Sequence, residues 1–297
     1  LRIRAPQHMG KTSLLNRLLN RAREQNFATV TIDLQQADRD VFTHLNRFLR
    51  WLSWNVSHQL NLEPQLEQYW FEEIGSKVSC TNYFQEYLLK QTPHPIVLAF
   101  DEVNRLFKYT ELAQDFLPML RNWHDQMSDR WQNLRLVLSY STEIYISLNF
   151  HQSPFNVGLP LVLPEFTRSQ VQTLAYQHRL HEDLDALYQL VGGHPYLLQT
   201  AFYALHSQRI SFDSLMQTAA TASGIYNNHL RQLWLVLQQS PDLDEAFQQV
   251  ITAEGGIQLA AIHMYLLEGM GLITLQGNCA FVRCELYRQY FLAQYKF

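Results

Sequence analysis

The chain has 297 residues with a formal net charge of -4; hydrophobic residues make up 47%, aromatic 13% and charged 17% of it. At roughly 150 residues per domain this length suggests about two domains, and the composition excludes disordered, collagen-like, coiled-coil and acidic-tail classes. The acidic balance argues against a protein whose main task is to coat nucleic acid or an anionic membrane.

The three cysteines, Cys80, Cys279 and Cys284, form neither a disulfide framework nor a zinc spacing, which fits a reducing cytoplasmic location. Apolar runs such as Ile96 to Phe100 are of strand length, far short of the roughly 18 residues a membrane span needs, so no membrane association is expected. No signal segment opens the chain. Leu1 already lies in a strand-like run, so the natural N-terminus is expected upstream.

The first forty residues read as strand (Leu1 to Ala5), loop, helix (Thr12 to Glu24) and a β-branched strand (Phe27 to Leu34). A helix carrying Val41, Leu45, Phe48, Leu49 and Leu52 follows, then a helical region rich in tryptophan and tyrosine around Tyr69 to Leu89. Trp51, Trp54 and Trp70 are expected in the core, with a partner-binding groove as the other reading. Pro95 to Phe100 has no polar alternation, as in a central parallel strand covered on both faces, and it leads into Asp101 and Glu102. A helix over Leu112 to Met127, a strand over Leu134 to Tyr140 and a further strand over Leu159 to Leu163 continue the pattern. Alternating strands and helices predict an α/β fold, an open parallel sheet with helices on both faces that takes its ligand beyond the carboxyl ends of the strands.

After Glu165 the strand signal stops, and Ser169 to Val191, Pro195 to Ser207 and Phe212 to Ala222 read as helices of a small lid. From Ile225, helices near 226–239, 243–252 and 257–269 precede a hairpin around Gln276-Gly277-Asn278 and a last helix, the pattern of a winged helix. The expected domains are the α/β sheet core (1–165), a helical lid (166–224) and a winged-helix domain (225–297).

Ala5-Pro-Gln-His-Met-Gly10-Lys11-Thr12 matches the phosphate-binding loop except that Ala5 replaces the first glycine. Amides of Gln7, His8, Met9, Gly10 and the helix start, including Ser13, would face the phosphates. Lys11 supplies a cation and Thr12 a hydroxyl for Mg2+. The other reading is a surface lysine opening a helix. About 90 residues later Asp101 is expected to hold the Mg2+ shell and Glu102 to orient or deprotonate the attacking water; the bland account is a helix cap or a solvated strand end. Ser141 and Thr142, after the next strand, are candidate sensors of the γ-phosphate or a cap for the following helix. No arginine or lysine lies between Ser141 and Phe166, so the usual place for an arginine finger is empty; Arg105 and Arg121 are candidates, with a solvated helix face expected for both.

Ile3-Arg-Ala-Pro-Gln-His-Met-Gly-Lys-Thr-Ser-Leu-Leu15, Phe100-Asp-Glu-Val-Asn-Arg-Leu-Phe107, Ser153-Pro-Phe-Asn-Val-Gly158, Gly192-Gly-His-Pro-Tyr-Leu197 and Cys284-Glu-Leu-Tyr-Arg-Gln-Tyr-Phe291 together resemble the AAA-like ATPase domain of cyanobacterial multidomain proteins. That group is akin to the STAND signalling ATPases and more distantly to origin-recognition ATPases. The resemblance implies binding of ATP and ADP, a lid after the sheet and a regulatory winged helix. It also implies that His194 and Pro195 contact the nucleotide base, against the plainer account of a helix stop followed by proline at a helix start. Asn104 stands where relatives often carry a second aspartate, and Ser141 lacks a neighbouring arginine, so slow turnover is expected.

His44, His58, His124, His151, His181, His229 and His263 show no ligand spacing, so Mg2+ is the one metal expected. Three functions compete: a nucleotide-controlled signalling or assembly switch, a DNA-associated initiator or loader, and a scaffold that binds ATP without hydrolysing it. Residues 225–297 hold Arg231, Arg283, Arg288 and Lys296 against Asp242, Asp244, Glu245, Glu254, Glu268 and Glu285, four minus six giving -2, which disfavours groove binding to DNA. The switch leads, with effector or sensor domains expected upstream of residue 1 and a homo-oligomer as its assembled form.

Overall fold

The computed structural model describes residues 1–126, 130–142, 154–180 and 184–295. His151, Ser153, His181, Lys296 and the expected helix end at Met127 lie outside them. The chain forms two compact units, Leu1–Arg4 with Lys11–Val162, and Ala5–Gly10 with Leu163–Phe297.

Unit 1 is built on a five-stranded sheet of order β2-β3-β4-β1-β5. Its strands are β1 (Arg2–Ala5), β2 (Ala28–Asp33), β3 (Ile96–Asp101), β4 (Leu134–Ser141) and β5 (Pro160–Val162). The pairings β1 with β5, β2 with β3 and β3 with β4 are parallel, and Ile32 lies opposite Phe100 while Asp33 lies opposite Asp101. Every residue of β3 is buried, as its apolar run requires when both faces are covered. Helix α1 (Lys11–Glu24) follows β1, burying Leu15 and Leu19.

Between β2 and β3 lie α2 (Leu45–Gln59), α3 (Leu66–Tyr69), α4 (Ser76–Asn82) and α5 (Leu89–Gln91). Val41, expected on the first of these helices, sits instead on a 3-10 turn over Arg39–Phe42. The segment Tyr83–Leu88 is a π-helix, whose wider turn buries Tyr83, Phe84, Tyr87 and Leu88 together. Helix α6 (Thr110–Asp125) follows β3 and sets Phe116 edge-on to Phe48 and Phe100, with ring centroids 4.8 and 5.6 Å apart. Trp54 departs from its expected place in the core, since it is 47% exposed.

Unit 2 has its own core. Its elements are α7 (Arg168–Gln177), α8 (Leu184–Val191), α9 (Pro195–His206), α10 (Phe212–Thr218), α11 (Asn227–Leu237), α12 (Pro241–Thr252), α13 (Ala261–Gly269), the hairpin β6 (Ile273–Gln276) and β7 (Cys279–Val282), and α14 (Glu285–Gln294). Helix α7 is capped by a reciprocal pair in which the Thr167 hydroxyl accepts from the Gln170 N–H and the Gln170 side chain accepts from the Thr167 N–H. The helix expected over Ser169 to Val191 is not continuous. It stops at His178, and Arg179 takes a left-handed φ of 56°. The helix expected from 257 starts at Ala261, because Ile257 is held in an extended bridge to Ala280 by backbone bonds of 3.1 and 2.7 Å.

Gly193 explains the double glycine of this unit. A Cβ there would fall 2.0 Å from the Phe166 carbonyl oxygen, and the Phe166 N–H donates to the Gly193 carbonyl at 2.9 Å, so the two backbones approach too closely for any side chain. Gly193→Ala is therefore expected to destabilise unit 2 by about 2–3 kcal/mol in chemical denaturation. Gly255→Ala, whose Cβ meets nothing within 4 Å, should stay within about 0.5 kcal/mol of the parent.

Candidate functional site

The chain leaves β1 at Ala5, passes through Pro6 to Gly10 and enters α1 at Lys11. Gly10 has φ +89° and open space around its Cβ position, so backbone conformation, not crowding, calls for glycine. His8 also adopts a positive φ of 62°. Lys11 is buried, while Thr12 and Ser13 are exposed at the head of α1 and Gln7 is exposed in the loop.

Within unit 1 the carboxyl ends of β3 and β4 gather the acidic and polar candidates. Asp101 ends β3, 5% exposed, and one of its oxygens accepts the Thr12 hydroxyl at 2.7 Å. Its other oxygen accepts the Glu102 N–H at 3.0 Å. Glu102 holds a left-handed φ of 55°, a conformation that costs a non-glycine residue about 1 kcal/mol and concentrates at functional sites.

Asn104 was legible in the sequence only as a departure from the family pattern, yet it bridges two of the candidates. Its amide nitrogen donates to a Glu102 carboxylate oxygen at 3.2 Å and its carbonyl oxygen accepts the Ser141 N–H at 2.9 Å. The Ser141 hydroxyl is buried without a partner among the described residues, whereas Thr142, the last described residue of that segment, is half-buried and partnered. A carboxylate and a hydroxyl 2.7 Å apart are hard oxygen donors of the kind Mg2+ takes, and the orphan Ser141 hydroxyl has hydrogen-bonding capacity left for a ligand oxygen, so these residues fit a metal-nucleotide.

Neither arginine put forward as a finger has a solvated, unengaged head. Arg105 donates to the Gln35 and Ala37 carbonyls at 2.7 and 3.0 Å and lies over the Phe42 ring, so it holds a loop of unit 1 in place. Arg121 pairs with Asp125 one turn along α6.

Within unit 2 the loop segment Ala5–Gly10 meets a cluster of rings. The His8 imidazole lies 4.7 Å from the Tyr196 ring and 5.7 Å from His229, and His194 lies 5.9 Å from His229. His229 Nε2 shares a 2.8 Å hydrogen bond with the Tyr287 hydroxyl. Arg283 donates to Glu165 at 2.6 Å and reaches the Met9 sulfur at 3.7 Å, and the second Glu165 oxygen accepts the Gly193 N–H at 3.1 Å. His194 caps α9 with Pro195 in the first turn, so a helix start accounts for the proline. Even so, His194 is 3% exposed and its Nδ1 has no hydrogen-bond partner among the described residues.

Burial, then the positive charge of Arg283 and the neighbouring His229 and His8, pulls the His194 pKa down to about 3; burial, then His8, pulls His229 down to about 4. Both rings are neutral in the folded unit at pH 7.

A parallel sheet of this order, with a glycine-lysine-threonine turn after its first strand and an aspartate closing a fully buried interior strand, is the P-loop ATPase fold. The chain belongs to the AAA-like domain family, whose model matches residues 1–293. Its structure resembles the Walker-type ATPase of Pyrococcus abyssi, with a TM-score of 0.66 and 13% identity, covering 98% of this chain and 90% of that one. It also resembles the Aeropyrum pernix ORC2 protein in its ADPNP-ADP complexes, with a TM-score of 0.51 and 14% identity, covering 99% of this chain and 88% of that one. At such identities the likeness is one of fold. No curated protein matches the chain.

The depressed histidine pKa values give a signed expectation. Unfolded histidine titrates near 6.5, so between there and about 4 the unfolded state binds more protons than the folded one, and stability is lost as the pH is lowered. Taking unit 2 from pH 7 to pH 5.5 should cost about 2 kcal/mol from the two rings. Denaturation of the parent and of His194→Phe at both pH values checks this, the variant losing about half of the slope.

Proposed function

We propose that this chain binds Mg-ATP through residues Gln7 to Ser13 and hydrolyses it slowly, as the nucleotide-controlled element of a signalling or assembly switch. The observation that carries the reading is the Thr12 hydroxyl on Asp101 at 2.7 Å, which joins residues 89 positions apart at the head of one helix and the end of one strand. Thr12 and Asp101 would hold Mg2+, which when bound neutralises phosphate charge. Lys11 provides the fixed cation, and the loop amides donate to phosphate oxygens.

Glu102 is the group that orients water and takes its proton. Asn104 acts as a positioning residue, fixing the Glu102 carboxylate while its other end holds the Ser141 backbone; the unpartnered Ser141 hydroxyl, with Thr142 beside it, then reports on the terminal phosphate. The orphan Nδ1 of His194 supports assigning His194 and Pro195 to the adenine.

We read α11 to α13 and the β6-β7 hairpin as a regulatory winged helix that does not enter a DNA groove. Support comes from α13, the helix such a domain would present. It carries no lysine or arginine, and its exposed large side chains are Ile262 and Tyr265. No helix among the described residues is long and apolar enough to cross a membrane.

Two expectations follow for nucleotide chemistry. Lys11→Ala should weaken ATP binding at least about tenfold in fluorescence titration with a labelled nucleotide. Glu102→Gln should keep Mg-ATP affinity and slow single-turnover hydrolysis by about a hundredfold or more, with Asn104→Ala giving a smaller loss in the same assay. A Glu102→Gln rate equal to the parent's would remove the glutamate from its assigned role.

A further inference from the structure

The helices inserted between β2 and β3 carry a concentration of exposed apolar side chains: Trp54 is 47% exposed, Phe71 50% and Ile74 43%. Helix α2 bears Arg47, Arg50 and His58 and no acidic residue. Along it runs an open groove of about 870 Å3, lined by Val41, Trp51 and Leu66 and edged by Arg47, Arg50 and Trp54. Trp54 stacks flat on His58, their ring centroids 5.2 Å apart, which holds the indole upright at the rim.

The complement to this groove lies beside it on the same unit. Arg50 lies over the Trp70 ring at 5.4 Å, and the Trp70 indole N–H donates to Asn46 at 2.7 Å, so α2 and the start of the next segment are fastened together. The following residues, Phe71-Glu72-Glu73-Ile74, form an exposed knob. The Phe71 N–H and carbonyl are both tied to the Ser79 hydroxyl at 3.2 Å, which turns the Phe71 ring and the two carboxylates outward. Glu72 and Glu73 enter none of the ion pairs among the described residues, while Arg47 and Arg50 pair only with exposed Asp40 and Glu67. Such exposed pairs contribute little to the stability of the chain itself.

We propose that this patch is a homotypic interface in which two copies of the chain dock about a two-fold axis. Each copy places Phe71 and Ile74 in the other's α2 groove, with Glu72 and Glu73 facing the other's Arg47 and Arg50. A cationic apolar groove next to an acidic apolar knob is self-complementary under two-fold rotation, the condition for an isologous dimer, and tryptophan, phenylalanine and arginine are the residues enriched at such interfaces. Nucleic acid suits the patch poorly, because Glu67, Glu72 and Glu73 share it with the arginines.

Sedimentation velocity at tens of micromolar tests this with two charge-reversed chains. Arg47→Glu with Arg50→Glu sets acid against acid, and Glu72→Arg with Glu73→Arg sets base against base. Each alone is expected to weaken dimerisation at least about tenfold. Mixed one to one, they should recover a heterodimer of parental affinity, since both contacts then pair opposite charges, and this recovery also shows that both variants are folded. Trp54→Ala should weaken the dimer of the parent chain as well. A parent chain that stays monomeric, a dimer indifferent to either reversal, or a mixture that fails to recover would each overturn the proposal.

Discussion

Asp101 closes a strand that is buried along its whole length, so its charge must be answered by groups brought to it from elsewhere in the chain. The Thr12 hydroxyl and the Glu102 N–H answer it, one on each oxygen. That requirement sets the rest of unit 1. It fixes the head of α1 against the end of β3 and forces Glu102 into a left-handed turn. The turn brings Asn104 within reach of both Glu102 and the backbone after β4. One hydroxyl-carboxylate bond thus organises the polar end of the apolar strand β3.

Unit 2 meets a different constraint, the burial of imidazole rings. His194 and His229 are kept neutral by their apolar surroundings, with Arg283 adding its charge at His194. Glu165 ties this region together, since its two oxygens serve Arg283 and the Gly193 N–H, while the Phe166 backbone leaves no room for a side chain at Gly193. The motif that reads as a helix boundary is therefore also a packing point between Phe166 and the turn before α9.

Much of unit 1 was legible because its signals are local. The unbroken apolar run of β3 and the glycine-lysine-threonine turn each fix an element within a residue or two. The break at His178 was not legible, since Arg179 supplies the left-handed turn that a glycine would have announced. The late start of α13 depends on the bridge between Ile257 and Ala280, a contact between distant segments. Among the candidate residues, Asn104 gains its place only from its bonds to both Glu102 and Ser141, and the ring cluster joins His8 to Tyr196 and His229, far along the sequence. Trp54 read as core because an apolar side chain at helical spacing carries no mark of which neighbours reach it.

Thr12 and Asp101 are proposed here as half of a metal-nucleotide site. Isothermal titration of the chain with ATP, run with Mg2+ and with chelator, tests it most directly. One-to-one binding is expected, tightened at least about tenfold by Mg2+ in the parent chain and without that metal dependence in Asp101→Asn. Nucleotide affinity indifferent to Mg2+, or no binding heat at millimolar ATP, would contradict it.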